Sequence, residues 1–275
     1  MKIQYLGTAA ADGWPALFCK CAACEKARKY GGKNIRSRSQ SIIDDCLLID
    51  MPPDTYYHTL QYNLDFSAIG HILITHSHED HFYPADMILK AEPYAYLGDV
   101  PNICVYGNST IVSMLQQAMD GSGIDHIEDY ITPVHVKPFV PFSIGSYTIT
   151  PLLADHMPNE DCYIYCIEKD GNRLLYGHDT GVFPPQTADY LEQTFFNLVS
   201  LDCTFGLTPW EHGHLGLPNI IEIKENMLRQ GCVDQQTQFV LNHFSHNGKI
   251  IHDDLAPHAA RLGFITAYDG LTLHI

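Results

Sequence analysis

Residues 72–81 read Ile72-Leu73-Ile74-Thr75-His76-Ser77-His78-Glu79-Asp80-His81, an apolar run that ends in a cluster of polar side chains. The apolar part predicts a buried strand over His71–Thr75, so the cluster falls at a strand end. His76 and His78 are two positions apart and share one face of an extended chain, and Asp80 and His81 follow on the next turn. Imidazole nitrogens and carboxylate oxygens are ligands for Zn, Mn or Fe. This stretch therefore predicts a metal site at the end of a strand.

The rest of the chain alternates short strand-like runs with helical ones. Strands rich in Ile, Val, Leu and Tyr are predicted over Ser41–Met51, Tyr147–Ala154, Arg173–Tyr176, Leu198–Asp202 and Gln238–Asn242. Helices are predicted over Ser109–Met119, Gln186–Thr194, Asn219–Gln230 and Asp253–Leu262. Strands mixed with helices on this scale favour an α/β layered domain. Because no internal repeat or Gly/Ser linker divides the chain, residues 1–275 are predicted to form a single domain.

The composition restricts the partners that this protein can have. The chain carries 32 acidic and 16 basic residues, for a net charge of −16 at pH 7. Such a surface repels phosphate backbones and anionic lipids, which disfavours a large nucleic-acid partner and a membrane surface. The N-terminal stretch lacks the apolar region of a signal peptide, and no apolar run has the length of a membrane span. Nine cysteines, an odd number, do not predict a disulfide framework. We therefore expect a cytoplasmic protein with reduced or metal-bound thiols.

The motif at residues 76–81 matches the H-x-H-x-D-H signature, and through it the chain resembles the metallo-β-lactamase superfamily. This resemblance implies a four-layer αββα sandwich with two divalent metal ions, Zn or Mn, at one edge between the sheets. It also implies three further ligands, each after a later strand. The resemblance assigns three ligands to each metal and one bridge: His76, His78 and His156 for the first, Asp80, His81 and His243 for the second, and Asp179 between them.

Two such cations, about 3.5–4 Å apart, hold a hydroxide at neutral pH, and that hydroxide is the nucleophile. Asp80 is assigned a catalytic part in addition to its part as a ligand. Relatives place a substrate-contacting histidine in the region of Glu211-His212-Gly213-His214. His214 matches best, as a group that protonates the departing oxygen, and His212 is its rival. Asp50, at the end of the run Leu47-Leu48-Ile49, is expected to accept an N–H from a ligand histidine.

A second cluster, Cys19-Lys20-Cys21-Ala22-Ala23-Cys24, supplies three thiols near the N-terminus. Sulfur ligands at this spacing suit a tetrahedral structural zinc, which needs a fourth ligand. His246, three residues after His243, is the candidate for that ligand. The alternative is three free thiols in an exposed loop, which would be sensitive to oxidation.

The cysteine cluster narrows the resemblance to one branch of the superfamily, together with Gly7-Thr8, the segment 242–246 and the final Ala267-Tyr268-Asp269-Gly270. That branch is typified by phosphoribosyl 1,2-cyclic phosphate phosphodiesterase. It implies a small phosphoester substrate, such as a cyclic nucleotide or a cyclic sugar phosphate, attacked by the hydroxide at the metals. Relatives are often dimers, so a homodimer is one state that the resemblance suggests.

Three alternatives stay open at this point. Lactonases and thioesterases of the same fold attack a carbonyl carbon with the same ligands. The pyrroloquinoline-quinone biosynthesis B protein is similar in the cysteine cluster and the second histidine. The tRNA 3′-end endonuclease shares the fold, but a net charge of −16 opposes tRNA binding.

Overall fold

A computed structural model describes residues 1–96, 98, 100 and 102–275, and within them the strands form two mixed sheets of seven. The first sheet contains β1 (Lys2–Gly7), β2 (Gln40–Ile43), β3 (Leu47–Ile49), β4 (His71–Leu73), β5 (Ile103–Gly107), β6 (Ile131–His135) and β14 (Thr272–His274). The second contains β7 (Phe142–Ile144), β8 (Tyr147–Leu153), β9 (Tyr163–Lys169), β10 (Asn172–Gly177), β11 (Leu198–Asp202), β12 (Gln238–Asn242) and β13 (Ile265–Thr266). Their orders are β14-β1-β2-β3-β4-β5-β6 and β13-β12-β11-β10-β9-β8-β7.

Helices pack on the outer faces of the sheets. They are α1 (Ala22–Tyr30), α2 (Thr55–Tyr62), α3 (Pro84–Met87), α4 (Ser109–Gly121), α5 (Pro185–Glu192), α6 (Leu217–Gln230) and α7 (His252–Arg261). Helix α4 buries Ile111 and Leu115 against the first sheet, and α6 buries Ile220 and Met227 in the core of the second. The order helix, sheet, sheet, helix confirms the predicted four-layer αββα sandwich.

Strand β4, which precedes the histidine cluster, is buried on both faces. Along β4, Leu73 belongs to the core between the sheets, whereas Ile72 and Ile74 pack into the outer core with α4. Side chains in a strand alternate between its two faces, so an unbroken apolar run is what a doubly covered strand needs. Each fully buried aliphatic side chain stabilises the fold by about 1.5–3 kcal/mol. The polar loop that follows β4 is therefore anchored by a well-packed strand.

Parallel pairing brings the polar strand ends together. Strands β3 to β6 are parallel to one another, and so are β10 to β13. The carboxyl ends of parallel strands meet at the same edge of a sheet, where ligands bind in α/β proteins. Asp50, Thr75, Asp179, Asp202 and His243 all lie at or just beyond such ends. The fold itself thus collects them at one edge of the sandwich.

The prediction of one strand over Ser41–Met51 is wrong. The structure splits this stretch into the antiparallel hairpin β2–β3, with Asp44 and Asp45 at φ 47° and 58° in the turn. Aspartate tolerates this left-handed conformation better than most residues. The apolar runs on either side of the turn made the whole stretch resemble one continuous strand. The helix predicted over Ser109–Met119 is present and extends to Gly121. Asn108 caps its N-terminus, because the Asn108 side chain accepts a hydrogen bond from the amide of Ile111.

None of the helices in the described part of the chain combines the length and the apolar character needed to cross a bilayer.

Candidate metal centre

The first group of predicted ligands meets beyond the end of β4. Nδ1 of His78 lies 2.9 Å from Nε2 of His76 and 3.2 Å from Nε2 of His156. A neutral imidazole has only one N–H, so three ring nitrogens at one point cannot all be satisfied by hydrogen bonds to one another. Three imidazole nitrogens that converge in this way could hold a transition-metal ion.

The second group surrounds Asp179 at the end of β10. Its Oδ2 lies 2.6 Å from Nε2 of His81 and 2.9 Å from Nε2 of His243. Asp80 is 3.3 Å from the same nitrogen of His81. The other carboxylate oxygen of Asp179 faces the first group, 3.8 Å from Nε2 of His156. The carboxylate therefore lies between the two groups, where a bridging ligand would be.

The hydrogen-bond geometry of the second group fits a cation better than a hydrogen-bonded cluster. Nε2 of His81, Nε2 of His243 and Oδ2 of Asp179 are buried, and none of them has a hydrogen-bond partner among the described residues. They approach each other closely at angles unsuited to hydrogen bonds, and orphaned buried groups of this kind are costly. A divalent ion would satisfy all three, so the residues present fit the implied metals.

The electrostatics of the cleft lead to the same conclusion. Burial opposes charge on His243, yet the carboxylates of Asp179 and Asp202 outweigh it and raise the pKa of this histidine to about 10. Burial likewise opposes ionisation of Asp179, but His243 and His81 hold its pKa well below the usual range. The carboxylates of Asp179 and Asp202 thus favour positive charge in the cleft. A divalent cation would supply this charge and would displace the protons from the imidazoles.

Hydrogen bonds on the far side of several rings orient the predicted ligands. Nδ1 of His81 lies 2.7 Å from Oδ2 of Asp50. The same oxygen accepts a hydrogen bond from the hydroxyl of Thr75, and Oδ1 of Asp50 accepts one from the Thr75 amide. Nδ1 of His156 lies 2.9 Å from the carbonyl oxygen of Gly213. Such partners fix the tautomer and aim the other nitrogen at the metal. The structure places Asp50 where the sequence suggested it.

Asp202 is a functional candidate that the sequence reasoning missed. This fully buried residue ends β11, and its Oδ2 lies 3.2 Å from Nδ1 of His243 and 3.0 Å from Nδ1 of His214. It also accepts a hydrogen bond from the amide of Leu215. The sequence does contain a pattern that could have indicated it: an aspartate at the end of an apolar strand, as at Asp50.

The backbone at three of these positions is held in the left-handed region. Asp50, Asp179 and His243 have φ of 65°, 51° and 57°. Aspartate and histidine visit this region more often than most residues, but each instance costs on the order of 1–3 kcal/mol and persists only where the surroundings enforce it. Such strain is concentrated at functional sites, and here it coincides with the strand ends that carry the ligands.

The two candidate substrate-contacting histidines lie in different surroundings. His214 lines a cavity of about 200 Å³ together with Asp80, Asp179 and Phe205. Its pKa is raised, because the carboxylates of Asp202 and Asp179 outweigh its burial. His212 has a side chain that is 85% exposed, with Asp155 3.4 Å away. The structure therefore places His214 beside the predicted metal ligands and His212 at the exposed rim of the cleft.

Gly181 supports the loop that carries His214. A Cβ atom at this position would overlap the Glu211 carbonyl oxygen and the Asp155 carboxylate. We expect Gly181→Ala to shift the loop, including the Gly213 carbonyl behind His156, and to lower kcat/KM by roughly 10–100-fold, since a misplacement of about 1 Å has effects of this size. Steady-state kinetics would measure it, with Gly121→Ala, whose surroundings are open, as the matched control. Equal activity of the two variants would contradict this account of the loop.

The predicted thiolate cluster also meets in space. Cys19, Cys21, Cys24 and His246 each offer a ligand atom, and these atoms all lie within 4.8 Å of one another. Nδ1 of His246 is 3.5 Å from Sγ of Cys19 and 3.6 Å from Sγ of Cys21. Burial opposes the thiolate of Cys21, but the Cys24 amide and His246 lower its pKa to about 6. Thiolates are the form that binds metal, so the tetrahedral site stays a prediction with suitable geometry.

Metal analysis tests both sites. We expect about three divalent ions per chain, and mild chelation should remove the cleft ions first, because thiolates hold their ion more firmly. Cys21→Ser should abolish the retained ion, whereas the same substitution at the exposed Cys46 should leave the content unchanged. Elemental analysis of dialysed protein measures both. A wild-type protein with no ion after mild chelation would exclude the thiolate site.

The double sheet with this His/Asp cleft at its edge defines a protein of the metallo-β-lactamase fold. The chain belongs to the family described as Anti-Pycsar protein Apyc1, which matches residues 39–250. No curated protein sequence matches it.

Solved structures confirm the predicted fold. A diphosphatase from the PhnP family is similar with a TM-score of 0.76 at 20% identity, over 100% of this chain and 97% of the other. Zinc-bound PqqB from Methylobacterium extorquens has a TM-score of 0.77 at 17% identity, over 100% of both chains. Human tRNase Z, short form, has a TM-score of 0.66 at 16% identity, over 100% and 99%. At these identities the similarity establishes the fold.

Proposed function

We propose that this protein is a dinuclear metal-dependent phosphodiesterase that cleaves a small phosphodiester, such as a cyclic phosphate. One observation carries the proposal: all seven predicted ligands meet in one cleft, and the buried nitrogens and oxygen of the second group have no hydrogen-bond partner among the described residues. When bound, two divalent ions supply an ionised water at neutral pH and neutralise charge on the attacked phosphoryl group.

The side chains of the cleft have separate tasks in this reaction. Asp179 holds the two ligand groups together, and Asp80 completes the second group. His214 is the free acid beside the ligands. Oδ2 of Asp202 lies 3.0 Å from Nδ1 of His214 and orients the ring, which leaves Nε2 of His214 for the substrate. As the phosphorus–oxygen ester bond breaks, Nε2 of His214 delivers a proton to the departing alkoxide, and the product is a phosphomonoester with a free hydroxyl.

The size and charge of the protein favour a small substrate. The cavity at the ligands measures about 200 Å³. With a net charge of −16, the protein repels a long phosphate backbone, whereas a small ester places only one charge near the metals. The similarity to a diphosphatase supports a phosphoester over a carbonyl substrate. The same ligands could attack a carbonyl carbon, so substrate choice has to be measured.

A substrate panel tests the proposal directly. Purified protein loaded with Zn or Mn is expected to hydrolyse cyclic phosphates and an aryl phosphodiester, and to leave lactones and thioesters largely intact. A gel shift with tRNA at moderate salt is expected to show no tight complex. Inactivity on every phosphodiester, in protein shown to contain its cleft metals, would overturn the proposal. Activity confined to lactones or thioesters would instead establish the carbonyl alternative.

A further inference from the structure

His58 lies at the centre of a buried polar cluster that the reaction described above does not use. The cluster consists of Ser37, Gln40, His58 and Asp269, and both His58 and Gln40 are completely buried. Oγ of Ser37 lies 2.7 Å from Nε2 of His58, and Oε1 of Gln40 lies 2.6 Å from Nδ1 of the same ring. Both ring nitrogens are therefore engaged, on opposite sides of the histidine.

The hydrogen bonds of Gln40 fix the protonation of this ring. Its amide nitrogen donates to the carbonyl oxygen of Asp50 and to the hydroxyl of Thr55, both at 3.0 Å. The amide oxygen, which can only accept, therefore faces His58, so Nδ1 of His58 carries a proton and donates it to Gln40. Burial lowers the pKa of His58 to about 4, which keeps the ring neutral at pH 7. The ring thus holds Gln40 in one orientation.

Gln40 connects the cluster to the metal centre through the backbone of Asp50. Asp50 has φ of 65°, a conformation that its surroundings must enforce, and the Gln40 amide holds its carbonyl oxygen. The side chain of Asp50 lies 2.7 Å from Nδ1 of His81. Hydrogen bonds therefore connect His58 to Gln40 and Gln40 to the backbone of Asp50, and the side chain of Asp50 in turn contacts His81, a predicted ligand of the second metal.

Two sequence motifs that lie away from the metals converge on the same cluster. A Cβ atom at Gly7 would overlap the Arg38 carbonyl oxygen and lie 2.9 Å from Cε1 of His58, so only glycine leaves room for the ring. Asp269 accepts hydrogen bonds from the amide of Ser37 at 2.6 Å and from the hydroxyl of Thr8 at 2.6 Å. The N-terminal Gly7-Thr8 and the C-terminal Asp269 thus close the cluster around His58.

We propose that His58 is a positioning residue for the second metal site, acting through Gln40 and Asp50 on His81. The assignment rests on the dinuclear centre of the proposed function. It gives a role to residues that are remote from His81 in sequence: the cluster keeps Asp50 in its strained conformation. Partners behind a ligand histidine typically change metal affinity by roughly 10–100-fold when they are removed.

The test compares His58→Leu with His58→Asn, two side chains of nearly the same shape. The asparagine amide can still donate to Gln40 from the position of Nδ1, and leucine cannot. Zn²⁺ affinity, measured by competition with a chromogenic chelator, should fall roughly 10–100-fold for one cleft ion in the leucine variant. The asparagine variant should stay close to wild type. Gln40→Met, which keeps the side-chain length, should reproduce the leucine result if His58→Leu does not fold.

Wild-type affinities in His58→Leu or Gln40→Met would overturn the assignment. So would an equal loss at the cleft and thiolate ions, because that result indicates general destabilisation. A wild-type protein that binds both cleft ions but hydrolyses no phosphodiester would contradict the proposed function and leave the role of His58 intact. The two failures are therefore distinguishable.

Discussion

Replacing Asp179 with asparagine is expected to lower kcat/KM for a phosphodiester by more than about 10³-fold and to weaken metal binding at both cleft positions. The carboxylate lies between the two ligand groups, 2.6 Å from His81 on one side and 3.8 Å from His156 on the other. An amide has the same shape and no negative charge, so it cannot hold two cations together against their repulsion.

Asparagine is also the right replacement for the backbone. Asp179 has φ of 51°, a conformation that asparagine adopts readily and alanine does not, so Asp179→Asn separates loss of charge from backbone strain. Kinetics and elemental analysis on the same preparation measure the effect, with the exposed Asp189→Asn as control. Retention of both cleft ions and of near-normal activity would exclude Asp179 as the bridge.

Replacing His214 with glutamine is expected to lower kcat by roughly 10²–10⁴-fold, the usual contribution of a general acid, while the metal content stays unchanged. Glutamine keeps much of the length of the side chain but cannot protonate an alkoxide. The loss should shrink for an aryl ester, because a phenolate leaves without the help of a proton. This dependence on the leaving group distinguishes an acid from a residue that only shapes the cleft.

His212→Gln is the matched control for this experiment. Its side chain is 85% exposed and its ring faces Asp155, so the variant should behave like wild type. If His212→Gln loses activity and His214→Gln does not, the roles of the two histidines are reversed. A loss in His214→Gln that is the same for alkyl and aryl esters would argue against proton transfer by this residue.

The prediction for Asp179 depends on residue type and strand position, whereas the prediction for His214 depends on a tertiary contact. The ligand chemistry of Asp179 follows from its residue type and its place at a strand end. The role of His214 depends on Asp202, which lies twelve positions earlier and fixes the ring by a contact of 3.0 Å. A variant at Asp202 should therefore affect both His214 and His243, because its Oδ2 contacts both rings.

The sequence by itself predicted the fold, which the structure confirms, and proposed the ligands of the metal site. Metal chemistry restricts each ligand to a few residue types, and parallel strands require apolar runs, so a histidine or aspartate directly after such a run is conspicuous. His76, His78 and Asp179 could be proposed on that ground together with the resemblance. The cysteine spacing predicted the thiolate cluster in the same manner.

Only the tertiary structure decided which residues support those ligands. Asp202, Gln40 and His58 carry no motif, because an aspartate, a glutamine or a histidine in a strand or helix has many ordinary roles. Their partners lie on other strands and helices: Asp202 reaches across to His243, and His58 on α2 reaches Gln40 on β2. A hydrogen bond of this kind depends on the distance and angle between two side chains remote in sequence, and those are set only when the two sheets and their helices pack together.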